Sequence, residues 1–122
     1  MYEICKEVHF SAAHIIEGHP GKCSELHGHN WRVRLQVTCE TLDSIGMGVE
    51  FSHIKEVLRE ITDRLDHKDL NALPIFQTQN PTAENLARYI FQETGKRLNA
   101  PGRQVSRVQI WETDSSSVAY SE

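Results

Sequence analysis

Three histidines and a cysteine form the most chemically informative part of this sequence. The segment from Cys23 to His29 reads Cys-Ser-Glu-Leu-His-Gly-His, and His14 lies upstream as a further imidazole. Side chains alternate between the two faces of a strand, so His27 and His29 would point the same way and could bind one metal ion. Catalytic zinc sites commonly use three protein ligands and leave a fourth position open. The pattern therefore predicts zinc bound by His14, His27 and His29.

Cys23 admits two interpretations. It lies in Gly21-Lys22-Cys23, a loop context in which a thiol can be partly exposed and nearby positive charge favours its thiolate. On this interpretation it is a candidate base or nucleophile. Alternatively, Cys23 is the fourth ligand of a closed structural zinc site, or the histidines are ordinary surface and core residues. Cys5 and Cys39 lie in strand-like segments and better suit the role of small buried hydrophobic residues.

Three further ionisable side chains are of interest, two of them adjacent in the sequence. Asp66 precedes His67, and a carboxylate beside an imidazole can fix its tautomer and create a general acid or base. The simpler explanation is a histidine that is favoured at a helix C-terminus. Glu112 is in phase with apolar Val108 and Ile110, where a carboxylate is costly unless paired. It could accept two hydrogen bonds from a guanidine-like ligand edge, or it could simply be exposed at a fraying strand.

These side chains are expected to be positioned by an α+β fold. Two-residue hydrophobic alternation predicts strands over residues 2–14, 29–39, 104–113 and 118–121. Spacings of three and four predict one helix from Phe51 with Ser52 as N-cap, and a second that begins at Asn80-Pro81-Thr82. The order ββααββ predicts a four-stranded antiparallel sheet with both helices on one face. Such a sheet has two edges, which proteins commonly cover by oligomerisation.

Composition narrows the classes of function. The 122 residues fit a single domain, 1–122, that can bury roughly two-thirds of its unfolded surface. The net charge of −4 argues against nucleic-acid and anionic-membrane partners and favours a small-molecule ligand. No apolar run approaches the roughly 18 residues of a membrane span. An odd number of cysteines, three, does not indicate a disulfide framework, so we expect a cytoplasmic protein.

Taken together, these residues resemble the 6-pyruvoyltetrahydropterin synthase and 6-carboxytetrahydropterin synthase (QueD) family. The resemblance runs in order over nearly the whole chain, and the combined pattern is highly specific. It rests on Phe10-Ser11-Ala12-Ala13-His14, Cys23-x-x-x-His27-Gly28-His29, Leu65-Asp66-His67, Pro81-Thr82-x-Glu84-Asn85 and Glu112-Thr113. The three-residue gap between Cys23 and His27 resembles the carboxytetrahydropterin branch.

The resemblance implies a role for each of these residues. The three histidines would hold zinc, whose open position takes the side-chain hydroxyls of 7,8-dihydroneopterin triphosphate. Cys23 would be the general base, with Asp66 and His67 as a proton relay. Glu112 would anchor the guanidine-like edge of the pterin, with help from Thr82.

The implied reaction is that of a carbon–carbon lyase. Its products would be 6-carboxy-5,6,7,8-tetrahydropterin, acetaldehyde and triphosphate, on the way to the deazapurine of queuosine. The resemblance also implies a tunnelling fold (T-fold) that assembles as a homo-hexamer of two stacked trimers, with sites between subunits. Two alternatives stay open, namely formation of 6-pyruvoyltetrahydropterin by triphosphate elimination and a zinc-stabilised binding module without turnover.

Overall fold

In the computed structural model, which describes all 122 residues, alternating apolar side chains form the two longest strands. β1 (Tyr2–His14) and β2 (His27–Cys39) pair antiparallel over their whole length. Their even and odd apolar positions, respectively, face the core, as the hydrophobic phase predicts. β2 begins two residues earlier than expected and brings His27 directly opposite His14.

Both helices cover the same face of the sheet. α1 (Phe51–Thr62) packs on β1, and α2 (Ala83–Leu98) packs on β4 (Arg103–Thr113) and β5 (Ser116–Tyr120). Their buried stripes recur at helical spacing. The stripes include Ile54, Leu58 and Ile61 in α1 and Leu86, Ile90 and Leu98 in α2. Neither helix has the length and apolar character needed to span a lipid bilayer.

The predicted N-cap of the first helix is wrong, whereas the predicted start of the second helix agrees with the structure. α1 begins directly after Glu50, which makes no side-chain capping hydrogen bond, so Ser52 lies inside the helix. Thr82 caps α2, because its hydroxyl oxygen accepts a hydrogen bond from the Asn85 N–H at 3.1 Å.

The sheet has five strands and is mixed, which corrects the expectation of four antiparallel strands. The extra strand is β3 (Lys68–Asp69), which runs parallel to β1 at Ala12 and Ala13. The strand order is β3-β1-β2-β4-β5. β3 forms because the chain leaving α1 returns along the edge of β1, where the His67 N–H donates to the Ser11 carbonyl at 2.6 Å.

The central strand β2 anchors the core. Trp31, Val33 and Leu35 are fully buried between the sheet and the helices. Cys39 is buried as expected, but Cys5 is exposed, because its odd position in β1 places it on the face that no helix covers.

Candidate metal centre

The strand register brings the three histidines together. His14 ends β1 directly opposite His27, the first residue of β2, and His29 lies two residues further along the same face. Their ring centroids are 4.5 Å apart for His14 and His27, 4.9 Å for His27 and His29, and 5.2 Å for His14 and His29. The cluster thus forms at one end of the strand pair, where the apolar face becomes polar.

Glu112 completes the group from the neighbouring strand. One potential ligand atom from each of His14, His27, His29 and Glu112 lies within 4.8 Å of all the others. The Glu112 Oε1 atom is 3.3 Å from His14 Nε2 and 3.2 Å from His29 Nε2. Glu112 is also the extra residue of a β-bulge, since Trp111 pairs with Ser117 and Thr113 with Ser116. Bulges commonly redirect a side chain beside a functional site.

Backbone carbonyls fix the orientation of two of the rings. His14 Nδ1 lies 2.7 Å from the Pro81 carbonyl oxygen, and His27 Nδ1 lies 2.7 Å from that of Glu25. Because a carbonyl oxygen only accepts, each Nδ1 carries the proton and each Nε2 keeps its lone pair in the neutral ring. Metal-binding histidines are commonly held in this way.

Trp31 forms the floor of the cluster. Its ring centroid lies 5.2 Å from those of His14 and His29, and its Nε1–H donates to the Ala12 carbonyl at 3.2 Å. This packing leaves His14 only 1% exposed. The rings therefore have little freedom to turn towards other partners.

The donor set fits a metal ion. The Nε2 atoms of His14 and His29 are buried and have no hydrogen-bond partner of acceptable geometry, although both lie close to Glu112. Ligand atoms around a tetrahedral zinc ion, with bonds of about 2.0–2.1 Å, are separated by about 3.3 Å. The spacings of 3.2 and 3.3 Å between Glu112 Oε1 and the two ring nitrogens match this value.

Electrostatics favour the neutral, ligating form of His29. Burial lowers the pKa of His29 below its ordinary value. The Glu112 carboxylate opposes this shift, while His14 and His27 reinforce it. A ring that resists protonation keeps a lone pair available to a cation.

Cys23 does not belong to the metal group. Its thiol is exposed in a single 3-10 turn (Lys22–Ser24), and the group of close ligand atoms contains Glu112 in its place. The Cys23 carbonyl accepts from the Ile16 N–H at 2.7 Å, which ties the turn to the segment after β1. This arrangement does not support the closed site in which Cys23 is the fourth ligand.

Asp66 and His67 lie at the edge of the sheet, outside the metal group. Asp66 Oδ2 is 3.0 Å from His67 Nδ1, while Asp66 Oδ1 accepts from the Ser11 N–H at 2.8 Å. This second hydrogen bond lowers the pKa of Asp66, and the contact with His67 acts in the same direction. His67 adopts a left-handed backbone conformation (φ 57°), and its side chain is 82% exposed. Such strained backbone positions are concentrated at functional sites.

An open cleft lies beside His67 at this edge of the sheet. The cleft has a volume of about 460 Å³ and is lined by His29 and Asn30 of β2, by Ser11 and Ala13 of β1, and by His67. Of the four residues in the metal group, only His29 lines this cleft, and Ser11, Ala13 and Asn30 belong to the sheet face opposite the histidine cluster.

Several residues that support the site were not anticipated. Asn71 accepts from the Ile15 N–H at 2.8 Å and donates to the Ile15 carbonyl at 2.9 Å. Asn80 makes the same pair of bonds with Glu17, at 3.1 and 2.9 Å. These two side chains make the backbone hydrogen bonds that a neighbouring strand would otherwise make. They thereby hold in place the segment that follows His14. Asparagines in loops carry no sequence signal for this role.

Comparison with known proteins places the chain among pterin synthases. The sequence is 35% identical to a 6-carboxy-5,6,7,8-tetrahydropterin synthase from Synechocystis, over 98% of this chain and 93% of that protein. It is 30% identical to the protein of that name from Haemophilus influenzae, over 100% of both. It is also 33% identical to a 6-pyruvoyl tetrahydrobiopterin synthase from Dictyostelium discoideum, over 82% of this chain and 73% of that protein.

The fold comparison agrees. The structure of 6-pyruvoyl tetrahydropterin synthase from Caenorhabditis elegans matches with a TM-score of 0.88 and 25% identity, over 99% of this chain and 95% of that one. This match confirms the tunnelling fold, with β3 as a small addition to the predicted strands. The model of the family described as 6-pyruvoyl tetrahydropterin synthase matches residues 3–122. The chain therefore belongs to the 6-pyruvoyl tetrahydropterin synthase family.

Proposed function

We propose that the protein is a zinc-dependent 6-carboxy-5,6,7,8-tetrahydropterin synthase. It would convert 7,8-dihydroneopterin triphosphate and water to 6-carboxytetrahydropterin, acetaldehyde and triphosphate, in queuosine biosynthesis. The observation that carries the proposal is the convergence of His14, His27 and His29, two of which have buried ring nitrogens without a hydrogen-bond partner. Relatives that carry the name of this activity support the choice of product.

The histidines would hold and shield the metal. When bound, zinc would act as a Lewis acid and would orient the hydroxyls of the substrate side chain. The Pro81 and Glu25 carbonyls keep the His14 and His27 rings turned so that Nε2 faces the cluster. Because the rings are already oriented, metal binding would cost less side-chain rotamer entropy.

Cys23 and the Asp66–His67 pair would move protons. The exposed Cys23 thiol would act as the base on the substrate side chain. Asp66, whose pKa is lowered by the Ser11 N–H, stays ionised and holds the proton of His67 on Nδ1. His67 Nε2 would then be free to exchange a proton with the substrate, at a site formed between neighbouring subunits.

Glu112 and Thr82 would contact the substrate. A carboxylate can accept two parallel hydrogen bonds from the guanidine-like edge of a pterin. Glu112 is 34% exposed and can therefore be reached from solvent. Thr82 follows Pro81, the residue whose carbonyl contacts His14, so its hydroxyl lies in the segment beside the site.

The proposed assembly is a single-domain homo-hexamer in the cytoplasm. Both edges of the sheet offer backbone groups for pairing, and His67 is exposed at one of these edges, where a neighbouring subunit could approach it. All three cysteines are free, which is typical of a reducing compartment.

Product analysis tests the proposed reaction. Zinc-loaded protein is incubated with 7,8-dihydroneopterin triphosphate, and acetaldehyde is trapped as a hydrazone and measured by mass spectrometry. We expect one acetaldehyde for each carboxytetrahydropterin formed. A pyruvoyl product without acetaldehyde would instead support the second activity named among the relatives. Zinc binding without any turnover would support a non-catalytic module.

A pair of cysteine variants provides the control. Cys23→Ala is expected to retain zinc and lose turnover, because its thiol lies outside the metal group. Cys5→Ala removes the other exposed cysteine, on the uncovered face of the sheet, and should retain both zinc and turnover. Equal activity of the two variants would contradict the role proposed for Cys23.

A further inference from the structure

We propose that the face of the sheet that no helix covers binds a polyphosphate anion through Arg32, Arg34 and Arg107. Residues 32 and 34 alternate along β2 with the residues that face the core, so their side chains point away from the histidine cluster. The anion site is therefore separate from the metal group. The inference goes beyond the proposed function and does not depend on it.

The uncovered face carries local positive charge on an acidic chain. Across β1, β2, β4 and β5 it presents three arginines against two glutamates, Glu3 and Glu7, whereas the whole chain has a net charge of −4. The register places Arg34 beside Glu7, and it places Gln36, the next residue of β2 on this face, beside Arg107. Cationic side chains thus occur in three successive rows, about 7 Å apart. This line of positive charge suits an extended anion.

Two of the arginines converge on one part of this face. The guanidinium carbon of Arg32 lies 3.8 Å from the centre of the Trp111 ring, and that of Arg34 lies 5.2 Å from it. Both side chains also contact one carboxylate, since Arg34 Nε is 2.7 Å from Glu7 Oε2 and Arg32 Nη1 is 3.5 Å from Glu7 Oε1. Stacking on the indole ring holds the Arg32 guanidinium in place without using its N–H donors.

Most N–H donors of this arginine pair are available to a ligand. Each guanidinium has five N–H donors, and within the chain Arg34 uses its Nε and Arg32 its Nη1, both on Glu7. The hydrogen bond from Arg34 lowers the pKa of Glu7, so the carboxylate stays ionised and offsets one of the two positive charges. Phosphate oxygens match the planar geometry of the remaining donors. A phosphate group would therefore compete with Glu7 for the same two guanidiniums.

Calorimetric titration of the metal-free protein with sodium triphosphate tests this proposal. Wild type is compared with Arg34→Gln, with Glu7→Gln and with the control variant Arg97→Gln. Arg97 is matched to Arg34, because their side chains are 44% and 41% exposed and each pairs with a single glutamate. The partner of Arg97 is Glu60, however, and this pair lies on the two helices rather than on the uncovered face of the sheet.

We expect wild type to bind triphosphate and Arg34→Gln to lower the affinity at least about tenfold, because charge-assisted hydrogen bonds are lost. Arg97→Gln should match wild type within about twofold, because its charge lies elsewhere on the exposed surface. Glu7→Gln should raise the affinity at least about threefold, because it removes the competing carboxylate. Inorganic phosphate, which is too short to span the rows of arginines, should bind at least about tenfold more weakly than triphosphate.

Several results would overturn the proposal. The site does not exist if wild type fails to bind triphosphate, or if Arg34→Gln and Arg97→Gln lose affinity equally, which would indicate attraction by overall charge alone. Unchanged or lower affinity in Glu7→Gln would contradict the competition between Glu7 and the anion. Equal affinities for inorganic phosphate and triphosphate would contradict the preference for an extended anion. Because the titrated protein contains no metal, a failure here leaves the proposed reaction standing.

Discussion

Replacing Asn71 with alanine should loosen the segment that holds His14. The Asn71 side chain accepts from the Ile15 N–H at 2.8 Å and donates to the Ile15 carbonyl at 2.9 Å. Both bonds are partly buried, and Ile15 directly follows His14. Asn71→Ala removes both bonds and leaves two backbone groups without a protein partner.

The expected loss of unfolding free energy follows from these two bonds. Each contributes about 1 kcal/mol net, and leaving a partly buried group unpaired adds to the cost, so we expect a loss of about 2–3 kcal/mol. Asn80 makes the same two bonds to Glu17, and both of these bonds are exposed to solvent. Water can replace that side chain, so Asn80→Ala should cost only about 1 kcal/mol or less.

Urea denaturation of the metal-free variants at one protein concentration measures both losses, since association would otherwise shift the apparent stability. Chelator competition should also show weaker zinc binding in Asn71→Ala than in Asn80→Ala. Equal losses of stability and of zinc affinity in the two variants would refute the reasoning that Asn71 positions His14.

Three further predictions follow from the structure. The Ser11 N–H lowers the pKa of the folded-state Asp66 carboxyl, so its stabilising contribution is present above about pH 4, the unfolded value, and is lost as the pH falls through the lower folded pKa. In urea titrations, the stability advantage of wild type over Asp66→Asn should therefore shrink on acidification; a gap that widens would contradict this assignment. A Cβ at Gly48 would lie 2.9 Å from the Cys39 Sγ atom, so Gly48→Ala should cost about 1–3 kcal/mol in urea denaturation. Adding Cys39→Ala should recover part of this loss. In thermal melts, free zinc at about 100 times its Kd should stabilise chelator-treated protein by about 2.7 kcal/mol, or about 10 °C, and His29→Ala should abolish this gain.

The sequence was sufficient to predict the convergence of the histidines. Strand alternation placed His27 and His29 on one face, and His14 continued the phase of the first strand. What brings them together is the register of β1 and β2, with His14 opposite His27. That register follows from burying both apolar faces under the same helices.

Very short strands and contacts made by backbone groups could not be predicted from the sequence pattern. β3 contains only two residues, Lys68 and Asp69, too few to show an alternating pattern. The carbonyl contact from Pro81 to His14 joins residues 67 positions apart and depends on where α2 begins. Backbone groups carry no residue-type signal, so only the folded chain reveals this contact.

Glu112 shows how a correct physical argument can leave the partner undetermined. A carboxylate in phase with Val108 and Ile110 was expected to need a partner, and the structure supplies the His14 and His29 rings. Cys5 shows the opposite case, in which membership of a strand was mistaken for burial. Its odd position in β1 places it on the uncovered face.

X-ray absorption at the zinc edge of the zinc-loaded, substrate-free protein tests the histidine-centred metal site most directly. The account predicts only nitrogen and oxygen neighbours, at about 2.0–2.1 Å, with the three imidazoles among them. A sulfur neighbour at about 2.3 Å, lost in Cys23→Ala, would show that the thiol is a ligand and would contradict the separation of Cys23 from the metal.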